Sequence, residues 1–489
     1  MSHAFLRRKS IESNASNQTG LKRIFGPWHL IILGVGITVG SGLFSLTGVA
    51  AGQHAGPAVI LSFLIAPIAC AFAGLCYAEL AGIISSGGSA YSYTYVTLGE
   101  TAAWSVGWSL VLEYTVGAAA VASSWSGYLS SLLRGWGITL DPRLTHASFT
   151  DVVMADGSIE KAWFNLPSAF ILLCITLLLM RGTTESSRIN AVVVIIKMLV
   201  IASVIIVCFP HIQHTNYEPF IPPNTGEFGH FGFSGVMRAA GMAFFAYVGF
   251  DIVSSATTDT RNPQRNIPIG VIGTLIACAL IYVVFAAVLI GVVDYRTMIN
   301  DANPVATAID KVHMPWLASL VKLGVTIGYI TVLYGMLLGQ SRIGLTMAND
   351  GLLPKKLAHL HQKTKTPWTA HIFSFIACSI LAGTLPIGML GNMTSIGTLF
   401  AFIVVCLGVI ALRIREPDLE RWFRVPGGTF LVPVLGIITC GTIMLSMDKG
   451  TWIRLGLWWV AGMVIYAFYG AKKSLLNPKN AAIKNLTDT

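Results

Sequence analysis

The sequence predicts an all-α integral membrane protein with twelve transmembrane helices, the first and sixth of them interrupted. Three observations carry this. Of 489 residues, 54% are hydrophobic and 11% charged, against about 25% charged in soluble domains. Apolar runs long enough to cross hydrocarbon, about 17–25 residues each, fall near 28–52, 56–82, 101–133, 165–181, 187–209, 234–256, 268–293, 316–346, 368–386, 391–412, 430–446 and 452–470. Two of these runs, with "GVGITVGSGLFSLTG" (34–48) and "FFAYVGFD" (244–251) inside them, carry glycine where an uninterrupted membrane helix has little use for it.

The first run lies behind a polar tail and leads straight into further hydrophobic spans, unlike a cleaved signal peptide. Lys and Arg concentrate in the tails and even-numbered loops. Examples are Arg7, Arg8, Lys9, Lys22 and Arg23, then Lys355, Lys356, Lys363 and Lys365. The positive-inside rule then puts both termini in the cytoplasm of a cell in whose membrane the chain sits. The same bias accounts for the net charge of +10, so no nucleic-acid partner is needed. The eight cysteines lie in or at the ends of apolar spans without a CxxC pair and read as buried small hydrophobes. His211 and His214 lack a nearby carboxylate or Cys and read as solvated. No phosphate loop GxxxxGK[ST] occurs, so ATP is not the evident energy source. No Ser/His or metal-ligand motif suggests an enzyme, and neither cofactor nor metal is expected.

At about 1.5 Å of rise per residue through a core of about 30 Å, Gly40, Glu113, Lys197, Thr331 and the start of 244–251 reach one level of the membrane. Lys197, inside "AVVVIIKMLVIASVIIV", costs about 2.5–3.5 kcal/mol at a helix centre and is too deep to snorkel. It is either half of a structural ion pair with Glu113 or Asp251, or a group that loses and regains a proton. Charged, it would dock on carbonyls freed by a broken helix. Close packing explains Gly34, Gly36 and Gly48. It does not explain three successive weak helix formers, Gly40-Ser41-Gly42, at mid-depth. A break there bares N–H groups suited to a carboxylate. In the sixth span Gly241 and Gly249 flank Phe244, Phe245 and Tyr247, and a second break would offer carbonyls to an ammonium. Interruptions at corresponding places of two five-span halves point to an inverted repeat. The chain then divides into a cytoplasmic tail (1–27), a first repeat (28–209), an external loop (210–233), a second repeat (234–412), two last spans with their preceding loop (413–470) and a second cytoplasmic tail (471–489).

Several stretches together resemble one family. They are "GVGITVGSGLFSLTG", "SGGSAYSYTYVTLGE" (86–100), "GWSLVLEYTVGAAAVASSWSGYL" (107–129), "FFAYVGFDIVSSATTDTRNPQRNIPIG" (244–270), "LLGQSRIGLTMANDGLLP" (337–354) and "SIGTLFAF" (395–402). The chain from about Leu21 to Tyr469 is similar to the cationic amino acid transporter branch of the amino acid–polyamine–organocation (APC) superfamily. The resemblance implies two inverted five-helix repeats followed by two further helices. It implies that Ile37, Thr38, Gly40, Ser41 and Gly42 receive a substrate's α-carboxylate. Phe244 would be an aromatic gate, with Phe245, Ala246, Tyr247 and Gly249 around the α-amino group. Lys197 would couple protons, with Thr331 as its polar neighbour. Glu113 and Asp251 are either selectivity or structural carboxylates, and Glu79 is structural. The chain departs from the family pattern at Ser86-Gly87-Gly88 and at Thr258-Asp259.

The expected activity is proton-coupled uptake of an amino acid by alternating access. The alternatives are exchange of amino acid for amino acid or polyamine, and a membrane sensor that binds without carrying.

Overall fold

Pro27 opens α1 (Pro27–Thr38) at a position where its missing N–H is no loss. The helix ends at Val39, with ψ 107°, and Gly40 is extended at φ −158°, ψ −143°. Winding resumes for one turn in α2 (Ser41–Phe44) and, past Ser45, in α3 (Leu46–Ala50). A π-turn at Ala51–Ala55 and a bend at Gly56, φ +58°, lead into α4 (Val59–Ile83). The 28–52 run is therefore three short helices, and its junction with the next run is itself helical. The computed structural model describes residues 7–10, 26–84, 89–154, 156–182, 187–251, 253, 260–299, 301, 303–364, 366–421 and 423–477. The departures at 86–88 and 258–259 lie outside these.

Next come α5 (Ala90–Thr97) and the long α6 (Glu100–Gly135). The all-α expectation misses a short strand pair. In the loop after α6, β1 (Asp151–Val153) pairs antiparallel with β2 (Ile159–Lys161). Asn165 then caps α7 (Leu166–Met180) by accepting from the Ser168 N–H, as helix starts require. The chain continues through α8 (Ser187–Cys208), α9 (Gly232–Phe244), α10 (Pro263–Val292), α11 (Pro304–Lys311) and α12 (Pro315–Asn349). It closes with α13 (Trp368–Thr384), α14 (Ile387–Arg415), α15 (Leu431–Ser446) and α16 (Lys449–Ile465).

Among the described residues seven helical stretches are long and apolar enough to cross a membrane, and α1, α7, α13 and α15 are shorter apolar helices. The 234–256 run is also divided. Helix α9 ends at Phe244, a 3-10 turn covers Phe245–Tyr247, Val248 is extended, and Gly249 has φ +112°.

Two packing groups position these breaks. α1 and α9 lie with α4 and α10, while α6 packs on α12, α14 and α7. Helix α8 touches both groups, through α1 and α12. The interruptions abut each other. A Cβ on Gly42 would lie 2.3 Å from the Ala246 Cα, and one on Gly249 would lie 2.8 Å from Ile37 Cγ2. Gly34, Gly36 and Gly48 likewise leave no room for a Cβ against Thr274, Val194 and Pro304.

Substituting Gly42→Ala forces two backbones apart, and overpacking of this kind costs about 1–3 kcal/mol. Gly335 meets nothing within 4 Å of its missing Cβ, so Gly335→Ala is the matched control. Thermal unfolding of the purified variants should show a lowered midpoint for Gly42→Ala and none for Gly335→Ala.

Candidate functional site at two interrupted helices

Where α1 stops, its last carbonyls have no continuing helix to bond. The Lys197 ammonium, reaching from α8, donates to the carbonyl of Gly36 at 2.9 Å and to that of Val39 at 3.2 Å. Lys197 is 2% exposed. A glycine lets it pass. A Cβ on Gly328 of α12 would lie 3.1 Å from both Cγ and Cε of the lysine. The charge is thus held by backbone dipoles at the negative end of α1. Thr331 lies one turn along α12 and returns its hydroxyl to the Gly328 carbonyl at 3.1 Å.

On the other side of the break, the N–H groups of Gly40, Ser41 and Gly42 find no acceptor among the described residues. The Thr38 and Ser41 hydroxyls are buried and have no hydrogen-bond partner there. Buried polar atoms are ordinarily satisfied, and these donors together have the chemistry to serve an anionic group. Ile37 packs against Gly249 of the second break, and Gly40 faces Val332 of α12.

Tyrosines reached from neighbouring helices hold the two breaks. Tyr128 of α6 donates to the Phe44 carbonyl at 2.6 Å, and Tyr282 of α10 to the Ala246 carbonyl at 2.9 Å. Tyr329 of α12 sits 3.2 Å from the Ser45 hydroxyl and packs edge-on against Phe44. Nothing in the sequence marks these three, because tyrosine is ordinary in a helical core. A hydroxyl on each side of a predicted break is the signal to look for.

The expected aromatic set divides. Phe244 is fully buried and meets Phe402 edge-on at 5.6 Å, and Phe250 meets the same ring at 5.3 Å. Phe245 and Ala246 form the turn itself. Tyr247 turns away and donates to the Phe63 carbonyl of α4 at 2.7 Å, so its hydroxyl braces the break against that helix.

Glu113 and Asp251 are electrostatic neighbours. Thr398, beside Glu113, gives its hydroxyl to the Thr394 carbonyl, and among the described residues neither Glu113 oxygen has a donor of good geometry. Glu79 is structural, as expected. It pairs with Arg413, lies 3.4 Å from Arg421 and accepts from the Val425 N–H at 2.8 Å. His211 and His214 are exposed. Seven cysteines are buried and Cys174 is exposed.

Helix α6 begins at Glu100 on the face that carries the two terminal segments and ends at Gly135 on the opposite face. At that opposite face a cavity of about 920 Å³ is lined by Val49, Ser123, Arg134, Arg238, Met242 and Asp448, among others. Its wall includes Met242 of α9, two residues before Phe244.

A family model described as amino acid permease matches residues 25–469. The branched-chain amino acid permease BcaP of Bacillus subtilis (strain 168) is 38% identical over 482 residues, 98% of this chain and 100% of that protein. The methylthioribose transporter of the same organism is 39% identical over 479 residues, 97% of this chain and 99% of the relative. The vacuolar cationic amino acid transporter 2 of Arabidopsis thaliana is 35% identical over 418 residues, 85% of this chain and 64% of that one. These relatives are permeases and transporters rather than enzymes. The chain belongs to the amino acid permease family of the APC superfamily, in the branch that holds the bacterial BcaP permeases and the cationic amino acid transporters.

Proposed function

We propose that this protein is a proton-coupled carrier of neutral α-amino acids with apolar side chains, working by alternating access in a cell membrane. The observation that carries the reading is the Lys197 ammonium seated on the Gly36 and Val39 carbonyls at a helix break. The substrate carboxylate goes to the open N–H groups of Gly40, Ser41 and Gly42, helped by the Thr38 and Ser41 hydroxyls. The substrate ammonium goes to the turn at 244–249. Substrate arrives through the cavity of about 920 Å³.

The proton acts through the lysine. A charged amine ties α8 to the end of α1, and hydrogen bonds from charged groups are worth about 1.5–3 kcal/mol each. Loss of the proton weakens that tie, frees α1 to move toward the face that bears the termini and lets substrate leave. Thr331, one turn from Gly328, lies in the same region of α12. Architecture fits two five-helix inverted repeats, 28–209 and 234–412, with the last two spans behind them and both termini in the cytoplasm. Support for the repeat comes from the two abutting interruptions, and the docking of both terminal segments on one face is consistent with it.

The side-chain preference is supported by relatives matched over their whole length, two of them branched-chain amino acid permeases. Val332, facing Gly40, and Met336, 3.2 Å from a Cβ on Gly117, give the neighbourhood an apolar lining. Glu113 and Asp251 then serve to hold the broken sixth segment rather than to select a cationic side chain.

In proteoliposomes Lys197→Ala is expected to lose accumulation driven by an imposed proton gradient while keeping counterflow of L-isoleucine. Unchanged gradient-driven accumulation would exclude the coupling role. A parent protein that ignores the gradient and moves isoleucine only against internal substrate would be an exchanger. The preference is checked by thermal unfolding of purified protein with L-isoleucine, L-arginine and L-glutamate. A ligand present at 100 times its Kd stabilises by about 2.7 kcal/mol. Isoleucine should raise the midpoint and arginine should not.

A further inference from the structure

On the face opposite the cavity, residues 7–10 of the chain lie against Tyr95, Glu100 and Asp350. Arg7 lies 3.6 Å from the Glu100 carboxylate, donates to the Ala471 carbonyl at 3.2 Å, and accepts from the Glu100 N–H through its own carbonyl at 2.8 Å. Lys9 pairs with Asp350 at 2.6 Å and rides over the Tyr95 ring at 5.0 Å. Its acceptors form a prepared surface. Glu100 is fully buried and also takes the hydroxyls of Tyr95 at 3.1 Å, Tyr466 at 2.9 Å and Ser474. Asp350 also takes the Tyr91 hydroxyl at 2.6 Å, and its carbonyl takes the Leu475 N–H at 3.1 Å.

We propose that Glu100, Asp350, Tyr91 and Tyr95 form an acidic, aromatic receptor for a basic peptide. Residues 7–9 occupy it in cis, and their departure is required for opening on this face. The ends that carry the receptor explain the linkage. Glu100 begins α6 and Asp350 comes directly after α12, and these two helices supply Tyr128, Tyr329 and Gly328 to the break region. A docked tail therefore ties the near ends of two helices that border the site. With the tail gone, both carboxylates lose a cation, so the bound form is favoured and the open face is the minor state. The gating half of this inference rests on the alternating-access reading, while the docking half does not.

The test uses the full chain with Arg7→Ala/Lys9→Ala, and with Lys9→Arg as the charge-conserving variant. Amide hydrogen exchange of peptides covering 89–100 and 346–353 reads docking. L-isoleucine counterflow in proteoliposomes reads gating. The double variant should exchange faster in both peptides and raise the counterflow rate by about three- to tenfold, a modest population shift, with Lys9→Arg like the parent. Unchanged amide exchange overturns the docking. Faster amide exchange with unchanged counterflow overturns the gating. A parent that carries no isoleucine overturns the transport reading and the gating with it, while amide exchange still judges the docking.

Discussion

A cation on two main-chain oxygens in the middle of a membrane protein is the constraint on which the rest of the site depends. An ammonium taken out of water without compensation costs several kcal/mol. An α-helix interior offers no free carbonyl, since each is bonded four residues on. A helix that stops offers such carbonyls, and α1 stops at Val39 beside Lys197. At the stop a Cβ on Gly40 would lie 3.3 Å from Val332 Cγ2, and the lysine stem needs a neighbour without a side chain, supplied by Gly328. One buried lysine thus sits between a break in one helix and a gap in another.

An interruption in hydrocarbon is tolerable only where its loose ends are bonded. Here the bonding is shared out among other helices. α6 sends Tyr128 to Phe44, α10 sends Tyr282 to Ala246, and Tyr247 reaches back from the break to Phe63 of α4. Tyrosine suits this task because its ring packs as an apolar body while its hydroxyl reaches past the neighbouring side chains. The donors that remain open, at Thr38 and Ser41 and in the Gly40–Gly42 main chain, are then conspicuous.

Much of this was legible in the residues because it violates what lipid asks of a sequence. A lysine amid valine and isoleucine, and glycines at mid-span, are anomalies that a single chain displays. They led to the carbonyl seat of Lys197 and to both interruptions, within a residue or two. What stayed hidden involves residue types that are normal where they stand. Tyr128, Tyr282 and Tyr329 look like core aromatics, and nothing in the sequence marks the Phe63 carbonyl as the acceptor of the Tyr247 hydroxyl. Arg7 and Lys9 read only as charges that orient the chain, because their partners stand far along the sequence. The strand pair at 151–161 escaped because three-residue strands bury too little to leave a pattern.

The contact between Gly42 and Ala246 has a mechanical consequence. Main chain lies on main chain there with no flexible side chain between to absorb a small displacement. A displacement of either segment is therefore passed directly to the other.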